Sequence, residues 1–121
     1  MHQLEAEFNF AAAHRLPRYQ GKCFNLHGHN YRFVVVLRGE PDPYSGIVVD
    51  FGDVERAVRE QVLDKVDHTN LNDTIENPTA ENVAGWIWHR LAAKLPGFVE
   101  VRLWEIPTSC VVYRGPTGKF A

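Results

Sequence analysis

Two histidines separated by one glycine, His27 and His29, stand directly before a run of β-branched and aromatic residues. Alternate side chains of a strand point to the same face, so we expect both imidazoles to lie close enough to hold one ion. A third histidine, His14, lies on the preceding apolar segment. Three neutral imidazoles with an open fourth position are a usual ligand set for catalytic zinc. The sequence therefore predicts a Zn²⁺ site at His14, His27 and His29.

Two further residues are candidates for chemistry beside these histidines. Cys23 stands four residues before His27, where a nearby dication would lower its thiol pKa, and we expect it to act as a base rather than as a ligand. Glu105 falls on the apolar side of a later strand, where a carboxylate is costly unless it is paired. An arginine on a neighbouring strand is the alternative partner for Glu105. His-x-His pairs are also common in strands without a metal, and the cysteine and third histidine nearby favour the metal.

Length, charge and cysteine content narrow the class of protein. The chain has 121 residues, 45% of them hydrophobic, which predicts a single domain over residues 1–121. Its net charge is -2 and its 13 basic residues are scattered, so we expect no nucleic-acid partner. The absence of a membrane-length apolar run or a basic leader predicts no membrane partner and a cytoplasmic location. Cys23 and Cys110 are expected to be free thiols, with Cys110 packed inside an apolar strand.

The alternation of apolar and polar residues predicts the strands. Four main strands are expected, at residues 4–10, 29–38, 98–105 and 108–114. The first continues its apolar parity as far as His14. A turn at residues 42–46 is expected to join the second strand to a short strand at 47–49, forming a hairpin.

Two helices are predicted between the strand pairs. The segment Asp50-Phe-Gly-Asp53 offers capping side chains to the first, whose apolar residues recur at helical spacing as far as Val66. Thr79 is expected to cap the second, which ends at Pro96. The predicted fold is therefore α+β, with the helices covering one face of a four-stranded antiparallel sheet. Because such a sheet has two open edges, a ring of subunits that closes their sheets together is a reasonable hypothesis.

Several separated motifs follow one another in a recognisable order. They are Ala12-Ala-His14-Arg-Leu16, Cys23-x-x-x-His27-Gly-His29, Asp50-Phe51, Asp67-His68-x-x-Leu71-Asn72, Glu76-Asn-Pro-Thr79-x-Glu81 and, near the end, Glu105. Together they resemble the 6-pyruvoyltetrahydropterin synthase and 6-carboxytetrahydropterin synthase family over nearly the whole chain. The resemblance implies these roles: zinc ligands at His14, His27 and His29, a base at Cys23, a proton relay at Asp67 and His68, a pterin anchor at Glu105, and a pterin contact at Thr79.

The resemblance also implies an architecture and a substrate. It implies a tunnelling fold whose sheets close into a barrel in a trimer, two trimers stacked into a homohexamer, and active sites at subunit interfaces. The implied substrate is 7,8-dihydroneopterin triphosphate. The gap of three residues between Cys23 and His27 is similar to the bacterial carboxy-forming branch, which gives 6-carboxytetrahydropterin, acetaldehyde and triphosphate for queuosine biosynthesis. One departure is Ile106, where relatives often have threonine.

Other interpretations remain beside this one. The nearest is the pyruvoyl-forming synthase of the same family. A non-catalytic, regulatory or structural zinc-binding domain is an alternative of another class, against which the intact Cys23, Asp67, His68 and Glu105 speak. A cupin-like metal oxygenase also uses His-x-His, but two intervening helices argue against that barrel. Asp67 and His68 would equally suit a helix C-terminus, and Thr79 would serve as a plain helix cap.

Overall fold

The computed structural model describes residues 1–117, which form one sheet and two main helices. The long strands β1 (His2–His14) and β2 (His27–Gly39) lead the chain. Helix α1 follows, as the consecutive segments Phe51–Val58, Arg59–Leu63 and Asp64–Val66, and then the short strand β3 (Thr69–Asn70). Helix α2 (Ala80–Ala92) and the hairpin of β4 (Phe98–Ile106) and β5 (Ser109–Tyr113) complete the order. The predicted α+β class is therefore confirmed.

The sheet has five strands in the order β3-β1-β2-β4-β5. β1, β2, β4 and β5 are antiparallel neighbours, as predicted. The prediction of a purely antiparallel, four-stranded sheet is wrong, because β3 pairs in parallel with Ala12 and Ala13 of β1. A strand of two residues is too short to show an alternating pattern, so the sequence did not predict β3. β3 is a strand because it pairs with β1. The sheet of one chain is open, with β3 and β5 at its edges.

The predicted hairpin around residues 42–46 does not form. The turn itself is present: the Asp42 carboxylate accepts hydrogen bonds from the backbone N–H groups of Tyr44 and Ser45. Residues 47–49 are not a strand, and they lead the chain to the start of α1. A short β-branched run has high strand propensity, but pairing needs a free edge, and both sides of β2 are taken by β1 and β4.

Helix α1 contains a π-helical segment, Arg59–Leu63, which keeps its apolar residues on one face. Val54, Val58, Val62 and Val66 are all fully buried. The four valines are four residues apart, and in a regular α-helix, at about 100° per residue, the last would point about 120° away from the first. The π segment adds one residue to a turn, which reduces this rotation by about 100°. The carbonyl of Gln61 accepts a hydrogen bond from Arg90 of α2. The π segment therefore aligns the valines and joins the two helices.

The core lies between the helices and one face of the sheet. It is formed by Phe10, Tyr31, Phe33, Val35, Leu37, Val101 and Leu103 from the strands, and by the α1 valines with Val83, Ala84, Ile87 and Leu91 from the helices. The capping predictions for both helices are confirmed, since Asp50 accepts from the Gly52 N–H and Thr79 from the Asn82 N–H. Cys23 and Cys110 are both free, but Cys110 is exposed on β5, so the prediction that it is packed is wrong. β5 lies at the edge of the sheet, where no further strand within residues 1–117 covers its side chains.

The opposite face of the sheet carries charged residues. Glu100 is buried and accepts hydrogen bonds from Arg102 at 2.6 Å and Arg114 at 2.8 Å. Arg102 also reaches Glu5 on β1 at 3.4 Å. Burial alone would raise the pKa of Glu100, but the hydrogen bonds and charges of the two arginines outweigh it and hold that pKa below its usual range. This network ties β4 to β5 and to β1.

We expect Glu100→Gln to lower the free energy of unfolding by about 1–3 kcal/mol, because the variant removes charged hydrogen bonds from a buried position. The lowered pKa in the folded state means that ionised Glu100 stabilises the fold above the unfolded-state pKa, and that this contribution disappears as pH falls through the folded-state pKa. Urea unfolding at pH 7 and below pH 4 measures both effects. The control is Glu7→Gln, which alters an exposed pair with Arg32 on the same face and should change stability by less than about 1 kcal/mol. An equal loss in the two variants would contradict the prediction.

Candidate metal centre

The register of β1 and β2 brings the three predicted histidines together. His14 is directly opposite His27, and Ala12 is opposite His29. Because directly opposed residues of an antiparallel pair are neighbours, the end of β1 and the start of β2 share one cluster. Each of the three histidines offers a ligand atom, and these atoms all lie within 4.8 Å of one another. Among the described residues, this is the group of side chains with the spacing of a metal site.

The outer nitrogens of two of these rings are held by backbone carbonyls. His14 Nδ1 lies 2.8 Å from the Pro78 carbonyl, and His27 Nδ1 lies 2.7 Å from the Asn25 carbonyl. A carbonyl only accepts, so each Nδ1 carries the hydrogen, and each Nε2 of the neutral ring presents a lone pair. These two Nε2 atoms face each other at 3.0 Å. Two lone pairs at this distance require a proton or a cation between them.

The third histidine and Glu105 extend the same acceptor cluster. Glu105 Oε1 lies 3.1 Å from His14 Nε2 and 3.8 Å from His29 Nε2. Glu105 Oε1 and His29 Nε2 are buried and have no hydrogen-bond partner. The Nδ1 hydrogen of His14 is donated to Pro78, so the short distance from His14 Nε2 to Glu105 would be an ion pair only if Nε2 carried a second hydrogen. Buried polar atoms are rarely left unpaired, and the three imidazole nitrogens of the cluster fit a bound divalent cation.

The electrostatic surroundings keep His29 neutral. Burial lowers its pKa below the ordinary value of 6.5, and the neighbouring His14 and His27 lower it further, against an opposing effect of Glu105. A neutral ring is the form that binds a metal. The prediction that Glu105 points inward towards the site agrees with the structure. It lies beside two histidines, rather than beside the arginine considered as its alternative partner.

Cys23 lies on a short 3₁₀ turn, Lys22–Phe24, between the two histidine-bearing strands. The turn is fixed by a hydrogen bond from the Leu16 N–H to the Cys23 carbonyl at 2.7 Å. Cys23 is partly buried and does not belong to the histidine cluster. Burial raises the pKa of the nearby Tyr31 phenol, and the charge of Glu105, followed by that of Cys23, raises it further. Cys23 therefore lies on the segment that joins the two histidine-bearing strands, and its sulfur is not one of the grouped ligand atoms.

Asp67 and His68 follow α1 and are held against β1. The Asp67 carboxylate accepts a hydrogen bond from the Ala11 N–H at 3.0 Å, and the His68 N–H donates to the Ala11 carbonyl at 2.6 Å. His68 adopts a left-handed backbone conformation with φ of 60°. Its ring is 82% exposed and its Nε2 lies 3.7 Å from Asp67 Oδ1. A histidine in this conformation is uncommon and indicates a backbone held in place by its surroundings.

His68 and His29 line one cavity of about 490 Å³ between β1, β2 and β3. Gly28 also borders it, so the glycine between the two β2 histidines keeps a side chain out of this space. The Thr79 hydroxyl caps α2. The preceding residue, Pro78, provides the carbonyl that contacts His14. The Asn-Pro-Thr segment therefore touches the cluster through its backbone.

Tyr31 and Pro78 contact the cluster although the sequence motifs did not predict them. The Tyr31 hydroxyl lies 3.1 Å from His14 Nδ1, and Tyr31 is fully buried. A signal was present for Tyr31, since residues 27, 29 and 31 share one face of β2. No signal in the sequence pointed to Pro78, because its contact is made by a backbone carbonyl across the fold.

We expect the purified protein to bind one divalent metal ion per chain, and His27→Ala to weaken that binding at least 100-fold, because it removes one of three ligands. Chelator competition with Zn²⁺ measures the affinity. The control is His89→Ala, an exposed position on α2. Equal affinity in the His27 and His89 variants would contradict the site.

We also expect the affinity for Zn²⁺ to fall on acidification, because protons compete with the metal for ring nitrogens. The lowered pKa of His29 favours the neutral, metal-binding form of that ring at pH 7. Affinity should therefore be retained at pH 7 and fall below pH 6. A flat profile between pH 7 and pH 5 would argue against histidine ligands.

The sequence and the fold both match known proteins. A model of the family described as 6-pyruvoyl tetrahydropterin synthase matches residues 3–116. The 6-carboxy-5,6,7,8-tetrahydropterin synthase of Synechocystis is 38% identical over 117 aligned residues, which cover 91% of this chain and 91% of the relative. The human 6-pyruvoyl tetrahydrobiopterin synthase is 35% identical over 132 aligned residues, covering 93% and 91%.

A solved structure supports the same assignment. The 6-pyruvoyl tetrahydropterin synthase of Caenorhabditis elegans superposes with a TM-score of 0.85 at 35% identity, over 93% of this chain and 94% of that one. A structure from Wolinella succinogenes, at 20% identity and a TM-score of 0.77, shares the fold. The resemblance identified from the motifs is thus confirmed, and this chain belongs to the 6-pyruvoyl tetrahydropterin synthase family.

Proposed function

We propose that this protein is a zinc-dependent lyase that converts 7,8-dihydroneopterin triphosphate to 6-carboxytetrahydropterin, acetaldehyde and triphosphate, a step of queuosine (7-deazapurine) biosynthesis. Membership of the family makes the protein a lyase-type enzyme with a pterin substrate. The observation that supports the proposal most is the convergence of three imidazoles whose ligand atoms lie within 4.8 Å of one another.

Zinc is the metal proposed for the histidine cluster. Three neutral nitrogen ligands with room for a further ligand are typical of catalytic zinc, and His14, His27 and His29 would hold it. A divalent metal there would supply positive charge that stabilises the negative charge developing on a side-chain oxygen of the substrate. The fold also supplies hydrogen bonds that orient the ligands, since the Pro78 and Asn25 carbonyls contact two of the ligand rings.

The proposed proton transfers belong to Cys23, Asp67 and His68. The Cys23 thiolate would remove a proton from a carbon that bears a hydroxyl group, which is the step that makes the side chain reactive. Asp67 and His68 would form a second acid-base pair at another side-chain position. Their support is positional: both are fixed to the Ala11 backbone, and His68 shares the cavity of about 490 Å³ with His29.

Glu105 and Thr79 are proposed to seat the pterin ring. A carboxylate accepts two parallel hydrogen bonds from a ring N–H and an exocyclic amine, which fixes the orientation of the ring. The unpaired, buried Oε1 of Glu105 is an acceptor that such a donor would satisfy. Glu105 also borders a cavity of about 220 Å³ with Ala80, next to Thr79 at the start of α2. The contact implied for Thr79 is compatible with its role as a cap.

Two observations bear on the choice of product. The alignment with the Synechocystis carboxy-forming enzyme spans 117 positions, whereas that with the human pyruvoyl-forming enzyme spans 132, which is more than the length of this chain. The gap of three residues between Cys23 and His27 is the feature of this sequence that favours the carboxy-forming product. The second candidate function, a 6-pyruvoyltetrahydropterin synthase, is favoured by the similarity to the Caenorhabditis elegans structure.

The proposal includes an assembly and a location. We propose that the chain acts as a single domain, that trimers close their sheets into a barrel, and that two trimers form a homohexamer. Phe24, Leu26 and Ile106 are large apolar residues left about half exposed, which supports a partner subunit covering this region. A free Cys23 thiol suits the reducing cytoplasm. The structure has no helix within residues 1–117 that is long and apolar enough to cross a membrane.

Incubation of the zinc-loaded protein with 7,8-dihydroneopterin triphosphate tests the product directly. We expect acetaldehyde and 6-carboxytetrahydropterin in equal amounts, together with triphosphate. A pyruvoyl product without acetaldehyde would establish the second candidate. Full zinc content without turnover of the substrate would instead favour a non-catalytic zinc-binding domain.

Replacement of Cys23 by serine separates its proposed role from that of a ligand. We expect Cys23→Ser to keep the full zinc content and to lose about 10²- to 10⁴-fold in kcat, the range that a general base contributes. Metal analysis and turnover on the same sample provide the measurement, and His27→Ala, which should lose both, is the matched control. Zinc lost with Cys23→Ser would show that the sulfur is a ligand, and unchanged kcat would show that it is not the base.

A further inference from the structure

Tyr31 is a polar residue in a position that the core alone would fill with phenylalanine. It is fully buried, and its ring stacks on Phe10 with centroids 4.7 Å apart and planes 10° apart. A buried tyrosine hydroxyl needs a hydrogen-bond partner. Its partner here is His14, whose Nδ1 lies 3.1 Å from the hydroxyl oxygen. The hydroxyl therefore meets the side of the His14 ring opposite to the metal-facing nitrogen.

The contacts at His14 Nδ1 together show which nitrogen of that ring carries the hydrogen. The Pro78 carbonyl, 2.8 Å from Nδ1, accepts only, so Nδ1 must donate. The Tyr31 oxygen lies at hydrogen-bond distance from the same nitrogen and shares that hydrogen as a second acceptor. With two acceptors at Nδ1, the hydrogen is kept there, and Nε2 is left with its lone pair facing His27.

The Tyr31 ring fixes the orientation of the same cluster. It stands perpendicular to the His14 ring, at 90° and 6.0 Å, and at 77° and 5.7 Å to the His29 ring. His14 is itself fully buried, so its ring has no water to replace a lost partner. Rotation of the His14 ring would break both acceptor contacts and move Nε2 away from the other ligands.

We propose that Tyr31 is a positioning residue of the metal centre, which holds His14 in the tautomer and orientation that bind the ion. This rests on the proposed metal-dependent function, but it assigns a role to a residue that is not one of the three ligands. Hydrogen bonds to the outer nitrogen of a metal-bound histidine typically affect metal affinity about 10- to 100-fold. A residue that only fills the core would not affect it, since phenylalanine fills the same space.

The test compares Tyr31→Phe with wild type and with Tyr113→Phe, a partly buried tyrosine of β5 that packs on Trp88. The readouts are Zn²⁺ affinity by chelator competition and the visible absorption of bound Co²⁺, which reports the coordination geometry. We expect Tyr31→Phe to bind Zn²⁺ about 10- to 100-fold more weakly and to shift the Co²⁺ bands. Tyr113→Phe should match wild type in both.

The outcomes distinguish the failure of this inference from the failure of the proposed function. Equal affinity and equal Co²⁺ spectra in wild type and Tyr31→Phe would overturn the role of Tyr31 alone. No metal binding by wild type would overturn the metal-dependent function and the positioning role with it. A second measurement needs no variant: ¹⁵N NMR of the metal-free wild type should show the hydrogen of His14 on Nδ1, and a hydrogen on Nε2 would overturn the inference even if Tyr31→Phe failed to fold.

Discussion

The site depends on two unprotonated ring nitrogens, His14 Nε2 and His27 Nε2, which face each other across the antiparallel pair of β1 and β2. His14 and His27 are opposed in the register of β1 and β2, and their Nε2 atoms lie 3.0 Å apart. Because backbone carbonyls hold the hydrogens on the outer nitrogens, the inner pair is an acceptor cluster that a cation stabilises. A shift of one residue in the register would turn one of these rings to the other face of the sheet. The long pairing of β1 with β2 over thirteen residue pairs prevents such a shift.

The two faces of the sheet carry different kinds of side chain. One face carries the apolar core and, at the end of β1 and the start of β2, the histidine cluster. The other carries the network of Glu100, Arg102 and Arg114, in which a buried carboxylate is paired on two sides. Arg102 lies on β4 and Arg114 directly follows β5, so the paired carboxylate joins the two strands of this hairpin. Glu105, near the end of β4, is thereby presented to the histidines.

Much of the fold and of the candidate site could be predicted from the sequence. Alternation placed the four main strands, and helical spacing with Asp50 and Thr79 as caps placed the helices. The histidine cluster followed from parity, because His14, His27 and His29 all fall on inward positions of long strands. Their convergence needed only the antiparallel pairing of β1 with β2, which the order of the strands suggests.

The features that could not be predicted are those made by contacts across the fold. β3 is two residues long and exists because His68 and its neighbours dock on Ala11 to Ala13. Residues 47–49 have strand propensity but no free edge to join. Pro78 reaches His14 through its carbonyl, which no side-chain pattern records. The position of Tyr31 on the inward face of β2 follows from the alternation of the strand. The hydrogen-bond contact of its hydroxyl with His14 follows only from the structure.

X-ray absorption spectroscopy of the zinc-loaded protein tests the central claim most directly. The account predicts a first shell of nitrogen and oxygen at about 2.0–2.1 Å, with the outer-shell scattering of three imidazoles and no sulfur. A zinc–sulfur distance of about 2.3 Å, or scattering from fewer than three imidazoles, would contradict it.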